Sequence, residues 1–368
     1  MNRFRWVACQ LEELRKCTKR LKTLKSTLDS LPMTLEATYD QILSKIPSAD
    51  AQDAVKLLLW LAFAKEPLQI DYLAIVVEYD IEKKTFDSDA KLSSPQEILK
   101  ICSSLVTRMD NGTVQLAHAS VKQYILEKKR GIQPNVVMDP SLGDRFIGQC
   151  CLTYLLESKA SYTHTINEKS LIAYSAIYWT QHILAAHQEL AAIEQIKKLF
   201  KLTSFAFQNW VRMHNDACNY TAFAENMDDS SPLHCAAYHG LVMTAEWLLP
   251  RISRDSEIIK ALCAAAQNAH LTTVQVLVTK NPEIDIDACG AKVGNALQVA
   301  TYHGHKDIVE LLVKTGADVN AKTGEYGTAL QAASAKGYKN IVEWLVERGA
   351  DVNAQGGWHG NALHAALH

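Results

Sequence analysis

Three leucines near the end of the chain, Leu297, Leu330 and Leu363, stand 33 residues apart. Around them the sequence repeats: "NALQVATYHGHKDIVELLVKTGADVNAKTGEYG" from Asn295 is followed by "TALQAASAKGYKNIVEWLVERGADVNAQGGWHG" from Thr328. No other feature constrains the fold as much. A unit this short cannot bury its own apolar face and is stable only when stacked on copies of itself. Each copy reads as a helix pair. Asn295, Thr328 and Asn361 are residue types that cap a helix by accepting one of its first backbone N–H groups. A helix of small residues follows, in which Ala300, Ala332 and Ala333 permit close approach, and Gly304 or Gly337 supplies the left-handed position that ends it. The second helix carries an aliphatic stripe, Ile308, Val309, Leu311 and Leu312 in one copy and Ile341, Val342, Leu345 and Val346 in the next. It closes at Gly316 and Gly349, before "ADVNA" turns the chain outward. Two degenerate copies come first, "SPLHCAAYHGLVMTAEWLL" from Ser231 and "ALCAAAQNAHLTTVQVLV" from Ala261. A fifth begins at Asn361 without a second helix, so Leu363 and Leu367 are expected at an open apolar edge.

These repeats resemble the ankyrin family, whose period is 33 residues. The resemblance implies a protein partner held by the loop tips and by the exposed ends of the first helices. The tips fall at Lys292-Val293, Glu325-Tyr326 and Trp358-His359, and the helix ends at Tyr238-His239, Gln267-Asn268, Tyr302-His303 and Ala335-Lys336. Candidate partner-binding residues are therefore Lys292, Glu325, Tyr326, Trp358, His359, Tyr302, His303, Tyr238, His239 and Lys336, with the aromatic members the type that anchors interfaces. Plainer roles compete. Tyr326 and Trp358 would serve equally by packing on neighbouring tips, and His239 and His303 by hydrogen bonding inside their own repeats.

The first two thirds read differently. Leu11, Leu14, Leu21, Leu24 and Leu28 form a helical stripe among Arg15, Lys16, Lys19, Arg20, Lys22 and Lys25, a pattern expected of a solvated helix face. Further on, "SLVTRM" and "TVQLAH" flank Asp110-Asn111-Gly112, and Asn-Gly between alternating runs is a strong hairpin signal. Helices, one hairpin and a closing helix make a winged-helix arrangement. The fold class expected is mainly α: a winged-helix domain with one β-hairpin, a helical connector and an ankyrin-repeat α-solenoid. The boundaries are residues 1–30 for a leading helix, 31–131 for the winged helix, 132–228 for the connector and 229–368 for about 4.5 repeats.

The strings "FRWVACQLEELRKC", "LDSLPMTLEATYDQIL", "LLLWLAFAKEPLQIDYLA" and "ICSSLVTRMDNGTVQLAHASVKQYI" resemble the segment after the nucleotide-binding core of fungal NACHT-ankyrin proteins. Those are NLR-like (STAND) signal-transducing ATPases. The same segment is similar to the winged-helix region named after GPI inositol-deacylase. The resemblance implies that residues 1–30 end a NACHT module and that the ATPase lies upstream. No Gly-Lys dipeptide occurs, hence no GxxxxGK[ST] phosphate loop. Both ends of the chain are accordingly expected to be cut edges.

Composition narrows the function. The chain is 48% apolar and 21% charged with a net charge of −2, so nothing pulls it globally toward nucleic acid or acidic lipid. Its nine cysteines include no CxxC pair, which suits reduced core thiols in the cytoplasm or nucleus. The longest apolar stretch, Ala54–Ala64, is well short of the roughly 20 residues of a bilayer span. Residues 31–130 hold 12 Lys/Arg against 14 Asp/Glu, which disfavours phosphate contact by the wing. His118 and Ser120 in "LAHAS" suggest a nucleophile only by composition. "DIDACG" has Ala296 where a calcium loop needs a bidentate Glu. His234, Cys235 and His239 fall in a repeat helix. The reading is a non-catalytic interaction protein, without cofactor, metal, small-molecule substrate or membrane, whose repeats recognise a protein. It would be the relay and sensor part of an NLR-like switch. A piece of a NACHT ATPase and a DNA-binding winged helix are the alternatives.

Overall fold

The computed structural model describes residues 29–127, 130–133, 136–157, 170–201, 204–217 and 231–367, together with Val7 and Lys25. The basic stripe expected over residues 11–28 and the NACHT-like element of residues 1–30 lie outside the described residues, apart from those two and the last two positions. Two units divide the chain, Met1–Gln188 and Glu189–His368. The division falls inside the stretch read from sequence as a connector.

In the first unit α1 (Leu35–Ser44) starts at Thr34, whose hydroxyl accepts from Ala37 N. The next helix, α2 (Ala51–Phe63), is apolar nearly all round and correspondingly central, with Leu57, Leu58 and Trp60 fully buried. Then come β1 (Leu68–Gln69), α3 (Ile70–Val77), a ribbon of β2 (Tyr79–Asp80) and β3 (Thr85–Phe86), and the short α4 (Glu97–Ile101). The hairpin expected at Asp110-Asn111-Gly112 joins β4 (Val106–Arg108) to β5 (Thr113–Leu116), the Asn111 side-chain oxygen accepting from Thr113 N at 3.1 Å. β1 adds a third strand in the order β1–β5–β4, with Leu68 opposite Val114. That is a winged helix, closed by α5 (Ala119–Glu127). Two ribbons that alternation alone did not reveal join it: β2–β3, and β6 (Arg130–Gln133) with β7 (Val136–Met138). Strands of two to four residues are too short to print a period-2 pattern.

The unit continues with α6 (Gly143–Glu157) packed along α7 (Leu171–Ala185). Their approach depends on Gly148, where a Cβ would stand 2.8 Å from the Ile183 side chain. Tyr174 and Trp179 are core aromatics, Tyr178 between them is half-buried, and Tyr174 meets Trp60 at 5.5 Å. Tyr174 also ends a buried polar chain. His182 shares one hydrogen bond with its hydroxyl (2.8 Å) and another with Asp144 (2.6 Å), and the hydroxyl accepts from Lys65 N at 3.2 Å. Burial pushes the His182 imidazole below its ordinary range, against the pull of Asp144.

The second unit opens with α8 (Glu189–Leu199) and α9 (Phe205–Ala217), and continues as the expected stack of helix pairs. The pairs are α10 (Pro232–Tyr238) with α11 (Val242–Leu248), α12 (Asp255–Gln267) with α13 (Leu271–Lys280), α14 (Ala296–Tyr302) with α15 (Lys306–Lys314), and α16 (Ala329–Ala335) with α17 (Lys339–Glu347). The first helix of a fifth copy is α18 (Ala362–Ala365). Asn295, Thr328 and Asn361 cap as expected, Ser231 caps the first copy as well, and at Asn295 and Thr328 the box is completed by Gln298 and Gln331. The same backbone bond closes each first helix: Leu241 N to Ala236 O, His270 N to Ala265 O, His305 N to Ala300 O and Tyr338 N to Ala333 O, all 2.9–3.0 Å.

Gly304 takes φ of +80° at this closure, and a Cβ there would lie 2.8 Å from the Tyr338 ring. The second copy places Ala269 in the equivalent position at φ +62°, one physical reason its sequence is degenerate. At the far end Leu363 and Leu367 are 71% and 76% exposed, the open edge read from the sequence.

Candidate partner-binding site

The site is built by loops that a buried glutamine holds from inside. Gln298, on α14, donates to Ala321 O (2.9 Å) and Gly327 O (2.8 Å). One repeat later Gln331 donates to Ala354 O, Gly356 O and Gly360 O at 3.0–3.2 Å. Each glutamine is almost fully buried and uses its oxygen to cap its own helix, so both ends of the amide are satisfied. Successive tips are then laced through their backbones, Glu325 N donating to Lys292 O (3.4 Å) and Trp358 N to Glu325 O (2.9 Å). Lower down, the Asp287 carboxylate takes Asp318 N, and Asn320 takes Asp351 N at 2.7 Å. The loop bases are fixed by the same contact at a 33-residue interval.

On this frame eight of the ten sequence candidates come together. The rings of Tyr302 and Tyr326 lie 4.9 Å apart, and Tyr326 continues to Trp358 at 6.2 Å and His359 at 6.1 Å. Lys336 Nζ sits 4.2 Å from the Tyr302 ring centre, and His303 lies 5.1 Å from the same ring. Lys292 pairs with Glu325 at 3.3 Å. Tyr326 is half-buried between its neighbours, so the packing role weighed from sequence is real for it. Trp358 is different: it touches Tyr326 and still exposes 69% of its surface.

The electrostatics follow from these contacts. The Lys336 ammonium at its hydroxyl lowers Tyr302 below the ordinary phenol range. Desolvation, with the hydrogen bond to Tyr302, raises Tyr326 to about 12. Burial, helped by His305, lowers His303.

The remaining two candidates stand apart from this row. His239 turns inward, 5.5 Å from Trp210 and 5.1 Å from His214 on α9, and burial holds its imidazole well below the usual range. It packs on α9 while remaining half-buried. Tyr238 stacks edge-on against it.

The plainer role set beside partner contact for His239 and His303 is a hydrogen bond inside their own repeats. His270 and His305 make bonds of another kind, between copies: His270 donates to Tyr238 O and His305 to Gln267 O, each in the preceding repeat, both at 3.0 Å. Each directly follows the left-handed residue, and that common position is the signal that would have found them.

The other constellations resolve into local structure. His118 Nδ1 takes the Ser120 backbone N–H (3.1 Å) and hydroxyl (2.6 Å), and Ser120 Oγ also meets the Tyr39 hydroxyl at 2.8 Å. That ties α5 to α1, and among the described residues no carboxylate orients His118. The helix before the wing, α4, has five residues, buries Ile98 and Ile101, and carries Lys100 as its one basic group. Among the described residues no cluster of three His, Cys, Asp or Glu suits a metal ion. Nor is any helix there long and apolar enough to cross a membrane.

Comparison with known proteins agrees with this geometry. Residues 262–356 match the family described as ankyrin repeats (3 copies), and residues 42–135 match the winged helix domain of GPI inositol-deacylase. Over 331 residues the chain is 28% identical to the azaphilone pigments biosynthesis cluster protein L of Monascus ruber. The similarity covers 84% of this chain, which spans 65% of the length of that curated relative.

Proposed function

We propose that the chain is a non-catalytic recognition protein whose repeats hold a protein partner at the row Tyr302–Tyr326–Trp358. The observation that carries this reading is Trp358. A large aromatic side chain, fixed by a backbone bond to the neighbouring tip and 69% exposed, is the kind of group that anchors an interface. The resemblance of the winged helix to the segment that follows the nucleotide-binding core of NLR-like proteins gives the array a context. In that context the repeats are the sensor, the winged helix is the relay, and a nucleotide-driven module belongs to a longer assembly. The Monascus relative's setting in a pigment cluster is compatible with a recognition subunit.

The test compares the chain with its Tyr326→Ala/Trp358→Ala double variant, both immobilised and exposed to soluble proteins of the source cells. The reading expects proteins that the wild type retains and the double variant loses at least tenfold, with circular dichroism unchanged. Equal retention by both overturns it. ATP hydrolysis above background by the purified chain would instead favour an enzymatic reading, and a salt-dependent gel shift a DNA-binding one.

A further inference from the structure

The aromatic row is electrically lopsided. At one end Lys336 lies against Tyr302 and pairs with no acidic side chain among the described residues. The one carboxylate in the row, Glu325, is already engaged by Lys292 at 3.3 Å. The other end is the exposed indole of Trp358. A basic segment laid along this row would meet the Lys336 ammonium and find Glu325 taken. An acidic one would find a cation beside the Tyr302 hydroxyl, which accepts the Tyr326 O–H and keeps its own proton to donate to a carboxylate. The rings are spaced 4.9 Å and then 6.2 Å, a reach that about three residues of extended chain cover at roughly 3.3 Å each.

We propose that the row binds an acidic peptide segment: a carboxylate lies at Lys336 and the Tyr302 hydroxyl, and an aromatic or large aliphatic side chain three residues away lies on Trp358. The proposal rests on the partner-binding reading above and names the chemistry of the partner. Lys336 and Trp358 are both exposed, so their replacement leaves the buried frame of Gln298 and Gln331 in place.

The experiment is selection of a random 12-residue peptide library on the full chain, followed by fluorescence anisotropy with the selected peptides. The expected winners carry Asp or Glu three residues from Trp, Phe, Tyr or Leu. Their affinity falls at least tenfold for Lys336→Glu and for Trp358→Ala, and falls as salt rises from 50 to 500 mM. Winners that need Trp358 but are neutral or basic, and bind Lys336→Glu equally well, overturn the acidic proposal and leave the partner-binding reading standing. Selection that yields no peptide sensitive to Tyr326→Ala or Trp358→Ala overturns both.

Discussion

The carboxylate of Glu189 caps a helix 55 residues further along the chain, accepting from Thr244 N at 2.7 Å, the Thr244 hydroxyl at 2.8 Å and Met243 N at 3.1 Å. It is buried, and it satisfies the free N–H groups at the start of α11, which begins with no side-chain cap of its own. Glu189→Ala leaves those donors buried and unpaired, and is expected to lower the unfolding free energy by about 2–3 kcal/mol. Glu189→Gln keeps an acceptor and loses less. Urea unfolding checks both, and a neutral alanine variant would show the cap to be dispensable.

Ala269 stands in a left-handed conformation that three of its counterparts give to glycine. Ala269→Gly relieves a strain of about 1 kcal/mol and is expected to stabilise the repeat unit by part of that, the remainder being offset by the greater freedom of glycine when unfolded. A measurable fall in melting temperature would contradict this.

Burial lowers the imidazoles of His214 and His234 to about 4, and lowers His239 well below its ordinary value. Their unfolded values lie near 6.5, so between pH 6.5 and about 4 the unfolded chain binds more protons than the native one. The stability contributed by these neutral histidines is complete above pH 6.5. It falls as the solution is acidified through that window, with a limiting slope of about 1.4 kcal/mol per pH unit for each. Unfolding at pH 7.5, 6 and 5 reads the slope, and His214→Phe, which keeps a ring beside Trp210, should flatten it. An unchanged slope in that variant would locate the titration elsewhere.

Gln331→Ala removes the amide donor from Ala354 O, Gly356 O and Gly360 O, the last of which still accepts from Gly356 N, and should loosen the loop around Trp358. We expect a loss of about 2–3 kcal/mol together with faster amide exchange over residues 354–360. Lys339→Ala, which removes an exposed i,i+4 pair with Glu343, should change stability by less than about 0.5 kcal/mol and serves as the contrast.

Much of the repeat unit was legible because its period repeats every requirement: Asn295 and Thr328 cap, Gly304 and Gly337 close, and Ile308 and Ile341 bury, each at a fixed offset. The wing was legible for a different reason, since Asn111-Gly112 is a local signal that needs no partner to be read. What escaped the sequence was non-local. Nothing in the neighbourhood of Glu189 announces Thr244, and nothing near Asp144 announces His182 and Tyr174. The inward turn of His239 depends on Trp210, which lies outside the repeats. The ring contact of Tyr326 with Trp358 is the packing option read from sequence, and it leaves Trp358 largely exposed.

The placement of Gln298 and Gln331 has an evolutionary meaning. Each sits in the same 33-residue stretch as the loop whose carbonyls it holds, so a segment cut from Asn295 to Gly327 carries a loop and its internal prop together. Duplication or recombination at that boundary would copy a working loop as a cassette. Substitutions at Tyr326 or Trp358 would then change what is recognised while the inherited amide keeps the loop in shape.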